Sequence, residues 1–201
     1  MGRLILVRHG ETNKNLGNRL HEENDVETLN DTGIRQIGKL ANSLENSSIS
    51  KIYSSTEPRA IESAAIMGNV LKLPVEKISG MQERNWGSFT DKPWSEVKII
   101  LDPMSLEERY LYTPPGGESW QTFESRLVDA IKKLTSENKQ DTIIVVTHGG
   151  TIRALMPYLL NVSKEESFKY DPHNASVTIF DFDDSGFHQI AIDDTSHLQE
   201  G

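Results

Sequence analysis

The sequence predicts an α/β domain built on a largely parallel sheet. Residues 4–7 and 143–146 form two short runs that consist only of aliphatic side chains. A continuous rather than alternating apolar pattern is typical of strands buried on both faces, as in a parallel sheet covered by helices. Segments with helical spacing follow these and other strand-like runs, and the alternation of strands with helices indicates the α/β class.

The first two predicted helices follow the first two predicted strands. Apolar residues recur at helical spacing between Ile34 and Leu44, and Asn30 is placed to cap the N-terminus of this helix. The second helix starts near Pro58, a residue that suits the first helical turn, and its apolar spacing continues to Leu71.

The second half of the chain continues the pattern. A third helix is predicted over residues 120–134, and a fourth over about 150–160, where Pro157 bends or ends it. Short strands are predicted at 52–53 and 75–78, with a late hairpin at 177–182 and 187–192.

Chain length and the absence of linker-like segments predict a single domain over residues 1–201. A chain of 201 residues is long enough for one substantial core, and no linker, internal repeat or low-complexity tract divides it. Residues 86–117 interrupt the strand–helix rhythm and contain four prolines. We expect this segment to be an excursion that covers a pocket like a cap.

Composition excludes several classes of protein and partner. The absence of cysteine excludes a disulfide framework and a zinc–thiolate site. The net charge of -9 argues against nucleic acid and against an anionic membrane as partners. No apolar stretch approaches the length of a membrane span, and the first apolar run is too short for a signal peptide. We therefore expect a cytoplasmic protein, with its oligomeric state left open.

Basic side chains follow three of the predicted strands. Arg8 and His9 come directly after the first strand, Arg59 lies in the helical turn after the second, and His148 follows the strand at 143–146. Ligands of open α/β sheets bind outside the carboxyl ends of the strands, and the helix N-termini there favour anions. The sequence therefore predicts an anion site at this edge of the sheet.

These residue types match the needs of phosphoryl transfer to a histidine. A nucleophilic imidazole must be neutral at the attacking nitrogen, with its tautomer fixed by a hydrogen bond at the other nitrogen. The transferring group spreads negative charge over its equatorial oxygens, so fixed cationic donors stabilise the transition state. Arginine offers a planar fork that suits phosphate.

Six blocks of the sequence resemble the histidine phosphatase superfamily, in its phosphoglycerate mutase-like branch. They occur in the family's order and cover essentially the whole chain. The blocks are Arg8-His9-Gly10-Glu11-Thr12 with Asn15, Leu29-Asn30 with Gly33, Ser54-Ser55 with Arg59-Ala60, Glu83-Arg84 with Gly87, residues 115–119, and Thr147-His148-Gly149-Gly150.

The resemblance implies a fold and a set of roles. The fold is a three-layer α/β/α sandwich with a mixed, mostly parallel sheet, and the reaction needs no metal and no cofactor. His9 carries the phosphoryl group, and Glu83 protonates the leaving oxygen and later activates water. The remaining implied roles are oxygen binding by Arg8, Arg59 and His148, helped by Asn15 and the Gly149 N–H, with Thr12 and Arg84 as further substrate-binding candidates.

Three alternatives stay open at this point. Glu11 and Glu118 compete with Glu83 for the acid role, and Arg84 and Arg153 suit ion pairs as well as substrate. Trp86, Phe89 and Trp94 suit either a pocket wall or packing within the excursion. The other histidines are interpreted as surface or structural residues: His21, His173, His188 and His197.

The function predicted is hydrolysis of a small phosphorylated metabolite, as in the small broad-specificity phosphatases. Glycolytic mutases of this family carry a longer insertion after the Glu-Arg block, and residues 85–92 lack its pattern. Asp91, however, stands where a second glycine is usual, which leaves the substrate pocket undefined. A cofactor-dependent phosphoglycerate mutase is the alternative, and a catalytically silent binding protein ranks below both. Sugar phosphates, phosphoglycerates, phosphoserine and a cobalamin-pathway nucleotide phosphate are the candidate substrates.

Overall fold

A computed structural model describes residues 1–21 and 25–199 of the chain. In this part of the chain, seven α-helices and six β-strands alternate much as the sequence predicts. In chain order they are β1 (Gly2–Arg8), α1 (Asn13–Leu16), α2 (Asp31–Ser43), β2 (Lys51–Ser54), α3 (Pro58–Leu71), β3 (Val75–Lys77), α4 (Trp94–Leu101), α5 (Leu106–Leu111), α6 (Trp120–Glu137), β4 (Thr142–Thr147), α7 (Gly149–Leu160), β5 (Val177–Asp183) and β6 (Gly186–Asp194).

The six strands form one mixed sheet in the order β3-β2-β4-β1-β5-β6. β4 lies between β2 and β1 and pairs in parallel with both, so that Leu6 is opposite Val145 and Tyr53 is opposite Val145 from the other side. β3 is parallel to β2, whereas β5 is antiparallel to β1 and forms a hairpin with β6. The predicted α/β fold with a mixed, mostly parallel sheet is confirmed.

Both faces of the sheet are covered, which explains the unbroken apolar runs. Successive side chains of a strand point to opposite faces. Leu4 and Leu6 pack with the apolar residues of α6 and α7, whereas Ile5 and Val7 pack with those of α2 and α3. Helices therefore form a layer on each side of the sheet, as a three-layer sandwich requires.

The predicted helix ends agree with the structure. Asn30 caps α2 by accepting the Gly33 N–H at 2.8 Å, and Pro58 is the first residue of α3. Pro157 lies inside α7, which continues to Leu160. Among the described residues, no helix combines the length and the apolar character that crossing a bilayer requires.

The segment 86–117 packs around a small cluster of its own. Trp86, Phe89, Val97 and Leu101 are buried together, with Trp94 partly buried against them. The two ends of the segment meet at Gly87. This residue has a φ of +51° and lies so close to the backbone of residues 115–117 that a Cβ would overlap it. Only glycine fits such a position.

Candidate active site

The strand order brings the predicted basic residues together. β4 is central between β1 and β2, so the groups that follow these three strands meet at one edge of the sheet. His9 follows β1, Arg59 lies in the first turn of α3, and His148 is the N-cap of α7. All three are buried, and the rings of His9 and His148 have centroids 5.3 Å apart.

Two hydrogen bonds fix the tautomer of His9. Its Nδ1 lies 2.7 Å from the carbonyl oxygen of Gly10, which can only accept, so Nδ1 carries the proton. Arg59 donates its Nε–H to Nε2 of His9 at 3.2 Å, and a guanidinium can only donate. Nε2 therefore presents a lone pair, which is the state a nucleophilic histidine needs.

The surroundings of His9 keep the ring neutral. Burial lowers the pKa of His9 well below its ordinary value, and the neighbouring Arg59, His148 and Arg8 lower the pKa further. Nε2 is consequently unprotonated at neutral pH.

Three buried donor atoms lie on the residues predicted to hold phosphoryl oxygens. They are Arg8 Nε, Arg59 Nη1 and His148 Nδ1, and none has a hydrogen-bond partner within the described part of the chain. A buried polar atom without a partner is costly, so such atoms are rare in folded proteins. An anion bound beside His9 would satisfy all three.

Ser55 and Glu57 both contact the Nε2 atom of His148. Its Nε2 lies 2.9 Å from Ser55 Oγ and 2.5 Å from Glu57 Oε2. Although burial opposes ionisation of Glu57, His148 and then Arg59 bring the pKa of this carboxyl well below its usual range. Glu57 is therefore an ionised carboxylate in contact with His148 and Arg59.

Glu83 reaches the same cavity from the loop after β3. Its Oε2 accepts the Gly150 N–H at 2.9 Å and its Oε1 accepts the Arg84 N–H at 2.7 Å. A Cβ on Gly150 would overlap this carboxylate, so the second glycine after His148 makes room for Glu83 at the start of α7. The position suits proton transfer to and from a bound phosphate ester because it borders the cavity beside His9.

The two competing carboxylates are engaged elsewhere. Glu11 accepts a hydrogen bond from the Asn30 side chain at 3.0 Å. Glu118 binds Arg126 at 2.6 Å and the Asn85 N–H at 2.9 Å. Neither is among the described residues that line the cavity beside His9, whereas Glu83 is.

Comparison with known proteins agrees with this geometry. The sequence profile of the histidine phosphatase superfamily (branch 1) matches residues 4–195. The chain belongs to this superfamily. Both the predicted family and the predicted class, a phosphoric monoester hydrolase, are confirmed.

Three similar proteins illustrate the range of this superfamily. Phosphoglycerate mutase-like protein 4 of Arabidopsis thaliana is 33% identical over 98% of this chain and 87% of its own length. The metal-independent phosphoserine phosphatase of Arabidopsis thaliana is 29% identical over 97% of this chain and 82% of its own. The structure of phosphoserine phosphatase from Entamoeba histolytica in complex with 3-phosphoglyceric acid has a TM-score of 0.86 at 25% identity, over 99% of this chain and 100% of that one.

Of three further residues predicted to bind substrate in this histidine phosphatase, two line the cavity and one does not. Asn15 lines the cavity, and its Oδ1 accepts from the Thr12 N–H and from Asn174. Gly149 also lines it, beside the Arg8 guanidinium. Thr12 is buried and serves as the N-cap of α1, and it is not among the described lining residues.

Arg84 lines the cavity, but its guanidinium is already occupied. It donates to the backbone carbonyls of Tyr112 and Glu118 and lies 4.4 Å from the centre of the Trp86 ring. Burial lowers the pKa of Arg84 to about 10, so it remains charged at neutral pH. Its contacts are those of an anchor for the segment 86–117. Arg153, in contrast, pairs with Asp171 at 2.6 Å.

The cavity of the phosphatase has a volume of about 480 Å³ and two distinct ends. Arg8, His9 and Glu83 line what we call the phosphoryl end. The segment 86–117 and its neighbour Arg19 line what we call the cap end. The cap-end lining comprises Arg19, Trp86, Trp94, Lys98, Leu101, Asp102 and Arg109. Trp86 and Trp94 thus both pack within the segment and face the cavity.

Sequence reasoning missed three residues of this site. His21, interpreted as structural, lies 5.8 Å from the His9 ring and lines the cavity. Burial, with Arg59 and His148, lowers its pKa to about 2, so it is neutral. Asn174 donates to the His9 carbonyl at 3.1 Å. Glu57 follows Ser54-Ser55 by two residues, and that proximity was the one signal that could have found it.

One group of potential metal ligands occurs near the site. Ligand atoms of His21, Asp25 and Glu27 lie within 4.8 Å of one another. The ammonium of Lys14 already contacts Asp25 Oδ2 at 2.7 Å, so a cation neutralises this group within the chain itself.

Proposed function

We propose that the chain hydrolyses small phosphomonoesters by two successive phosphoryl transfers at His9, without a metal. One observation carries this proposal. The three buried donors of Arg8, Arg59 and His148 that lack partners in the described chain surround the residue whose Nε2 presents a lone pair. Such donors stabilise the charge of a transferring phosphoryl group.

The first transfer forms a phosphohistidine. The Nε2 lone pair of His9 attacks phosphorus, the bond from phosphorus to the leaving oxygen breaks, and Glu83 gives its proton to that oxygen. In the second transfer, Glu83 takes a proton from water, the water oxygen attacks phosphorus, and the P–N bond breaks. Inorganic phosphate leaves, and the lone pair returns to Nε2.

The arginines supply the positive charge that a metal ion supplies in other phosphatases. Arg59 is entirely buried and Arg8 is half-buried, so the charges of both act at reduced solvent screening. The oxygens of the transferring group therefore meet fixed cations, and no step requires a divalent ion.

We further propose that the leaving group carries a second anionic group. Among the described lining residues, six are arginine or lysine and three are acidic, although the whole chain has a net charge of -9. Three of the six cations lie at the cap end: Lys98, and Arg19 and Arg109, which pair with the exposed residues Asp91 and Asp102. The similarity to phosphatases named for phosphoserine supports this class, because phosphoserine carries a carboxylate besides its phosphate.

The organisation and location of the enzyme complete the proposal. Residues 1–201 act as one domain, with 86–117 as its cap, and the phosphatase works in the cytoplasm on small metabolites rather than on nucleic acid or membranes. Lining of the cavity by Trp86, Trp94 and Lys98 supports the cap role.

Trapping of the intermediate tests the proposed route. The enzyme is mixed briefly with p-nitrophenyl phosphate in saturating EDTA, quenched in alkali and digested, and the phosphate is located by mass spectrometry. We expect phosphate on the peptide that contains His9, and none after an acid quench, because phosphohistidine is acid-labile. His9→Ala removes both the label and turnover.

A matched control is His188→Ala, because His188 is an exposed histidine on β6. This variant retains the label and the activity. Phosphate on Ser54, Ser55 or Thr147, or loss of activity in EDTA with rescue by a divalent cation, overturns the proposed route. Scoring isomer formation in parallel, with 3-phosphoglycerate as substrate, separates hydrolysis from mutase activity.

A further inference from the structure

Glu57 is a buried carboxylate at the N-terminus of α3. It is the N-cap residue of α3, but its side chain makes no capping hydrogen bond. N-cap positions favour short side chains such as serine or aspartate, which bond to the helix N–H groups. Capping therefore does not explain its presence.

The carboxylate instead contacts three residues of the site, namely Arg59, Glu83 and His148. Oε1 accepts from Arg59 Nη2 at 3.1 Å, and Oε2 accepts from the Glu83 N–H at 2.8 Å. Oε2 also lies 2.5 Å from Nε2 of His148. Both carboxylate oxygens are thus engaged by protein groups, and a carboxylate repels the negative charge of a phosphoryl group. Glu57 therefore acts through its neighbours rather than on the substrate.

We propose that Glu57 is a positioning residue that holds His148 as an imidazolium with its Nδ1–H directed at the phosphoryl group. The proposal rests on the proposed function. A carboxylate only accepts hydrogen bonds, so Nε2 must carry a proton to bind Glu57. Nδ1 is the ring atom without a partner in the described chain, and a phosphoryl oxygen there also only accepts. Both nitrogens then carry protons, which is the cationic form.

The charges around His148 show why this form needs support. Burial holds the pKa of His148 below its ordinary value, although the Glu57 carboxylate, the largest influence that raises this pKa, opposes the shift. Arg59 opposes ionisation and Glu83 favours it. The groups that face the ring from every element are Glu57 and Arg59 at the start of α3, Glu83 in the loop after β3, His9 after β1, and His21. Glu57 and the bound phosphoryl group together must therefore offset burial and the nearby cations, and Glu57 is the larger of the two carboxylates that do so within the protein.

The substitution Glu57→Gln tests the charge with almost no change in shape. The glutamine oxygen can still accept from Arg59, but the negative charge is gone. Side-chain ¹⁵N NMR follows the titration of His148 in the protein saturated with inorganic phosphate, with His148→Gln identifying the signal. We expect the His148 titration in Glu57→Gln to move to lower pH by about 1–3 units, since an opposite charge in contact shifts a pKa by that amount.

The matched control is Glu76→Gln on β3, which removes the same charge from an exposed position. It leaves the His148 titration and the activity unchanged. Glu57→Gln should also depress kcat/KM for p-nitrophenyl phosphate more at pH 8 than at pH 5.5. A role confined to structure lowers activity equally at both values.

Two further results with Glu57→Gln overturn the proposal. One is an unchanged His148 titration in folded Glu57→Gln. The other is an undiminished effect of Glu57→Gln on kcat/KM in the His148→Gln background, which would assign the carboxylate to Arg59 alone. If Glu57→Gln does not fold, Glu57→Asp is used instead, because its side chain is one methylene shorter and moves the carboxylate away from His148. An unchanged His148 titration in Glu57→Asp overturns the proposal as well. A phosphate label on His9 in wild type and in Glu57→Gln keeps these outcomes separate from failure of the phosphohistidine route.

Discussion

The two ends of the cavity differ in how firmly their charged groups are held. At the phosphoryl end, Arg59 and His148 lie buried beside His9, and each makes hydrogen bonds to neighbouring groups. At the cap end, Lys98 is exposed, and the Arg109 side chain is 27% exposed although it pairs with Asp102 at 3.2 Å. The difference indicates that one end performs a fixed reaction, while the other selects the molecule on which it is performed.

The architecture explains this contrast. The phosphoryl end is assembled from the ends of β1, β2 and β4, whose relative positions are fixed by ladders of backbone hydrogen bonds. The cap end lies largely on α4 and α5, helices of eight and six residues. α4 packs on the small cluster of segment 86–117, whereas α5 buries no residue and places Tyr110 against the main core. Short helices owe their stability to packing, so helices that bury so few residues are held less firmly.

The largest effect is expected from Arg59→Ala at the phosphoryl end. An arginine that stabilises phosphoryl transfer contributes about 10³–10⁵-fold to kcat, and Arg59 donates to His9 as well. Vanadate, a mimic of the five-coordinate transition state, should lose more affinity than substrate does. Steady-state kinetics with vanadate inhibition measures both, and Arg35→Ala on α2 is the control. Equal weakening of substrate and vanadate would reduce Arg59 to a simple binding residue.

A smaller effect that depends on the leaving group is expected from Glu83→Gln. General acid catalysis contributes roughly 10²–10⁴-fold, and only where the leaving oxygen needs a proton. Single-turnover phosphorylation of His9 should therefore fall strongly with an alkyl phosphate and much less with p-nitrophenyl phosphate. Glu11→Gln, whose carboxylate binds Asn30, should show no such dependence. A uniform loss across leaving groups in Glu83→Gln would assign Glu83 a positioning role.

The smallest effect is expected from Arg109→Gln at the cap end. Loss of one charge-assisted hydrogen bond to a second anionic group costs roughly 1.5 kcal/mol, or about tenfold in affinity. KM for phosphoserine or 3-phosphoglycerate should rise by that factor with kcat unchanged, while p-nitrophenyl phosphate is unaffected. Arg35→Gln serves as the exposed-arginine control. An equal fall in kcat for every substrate would mean that Arg109 acts on the transferring group, and the contrast between the two ends would fail.

The sequence predicted the phosphoryl end far better than the cap end, for a physical reason. Buried strands leave unbroken apolar runs, so the ends of β1 and β4 and the residues that follow them can be located directly. The cap gives no comparable signal, because its elements are short and separated by prolines. The contact of Glu57 with His148 depends on β2 lying beside β4, a pairing between segments about 90 residues apart that no local pattern encodes.

A crystal structure with bound vanadate tests the central claim most directly. The account predicts vanadium bonded to Nε2 of His9, with its oxygens within hydrogen-bond distance of Arg8 Nε, Arg59 Nη1 and His148 Nδ1. Each of these three donors is buried and lacks a partner in the described chain. The Glu83 carboxyl should face the apical oxygen opposite His9. Vanadate bonded to another residue, or bound at the cap end with these three donors still unpartnered, would contradict the assignment.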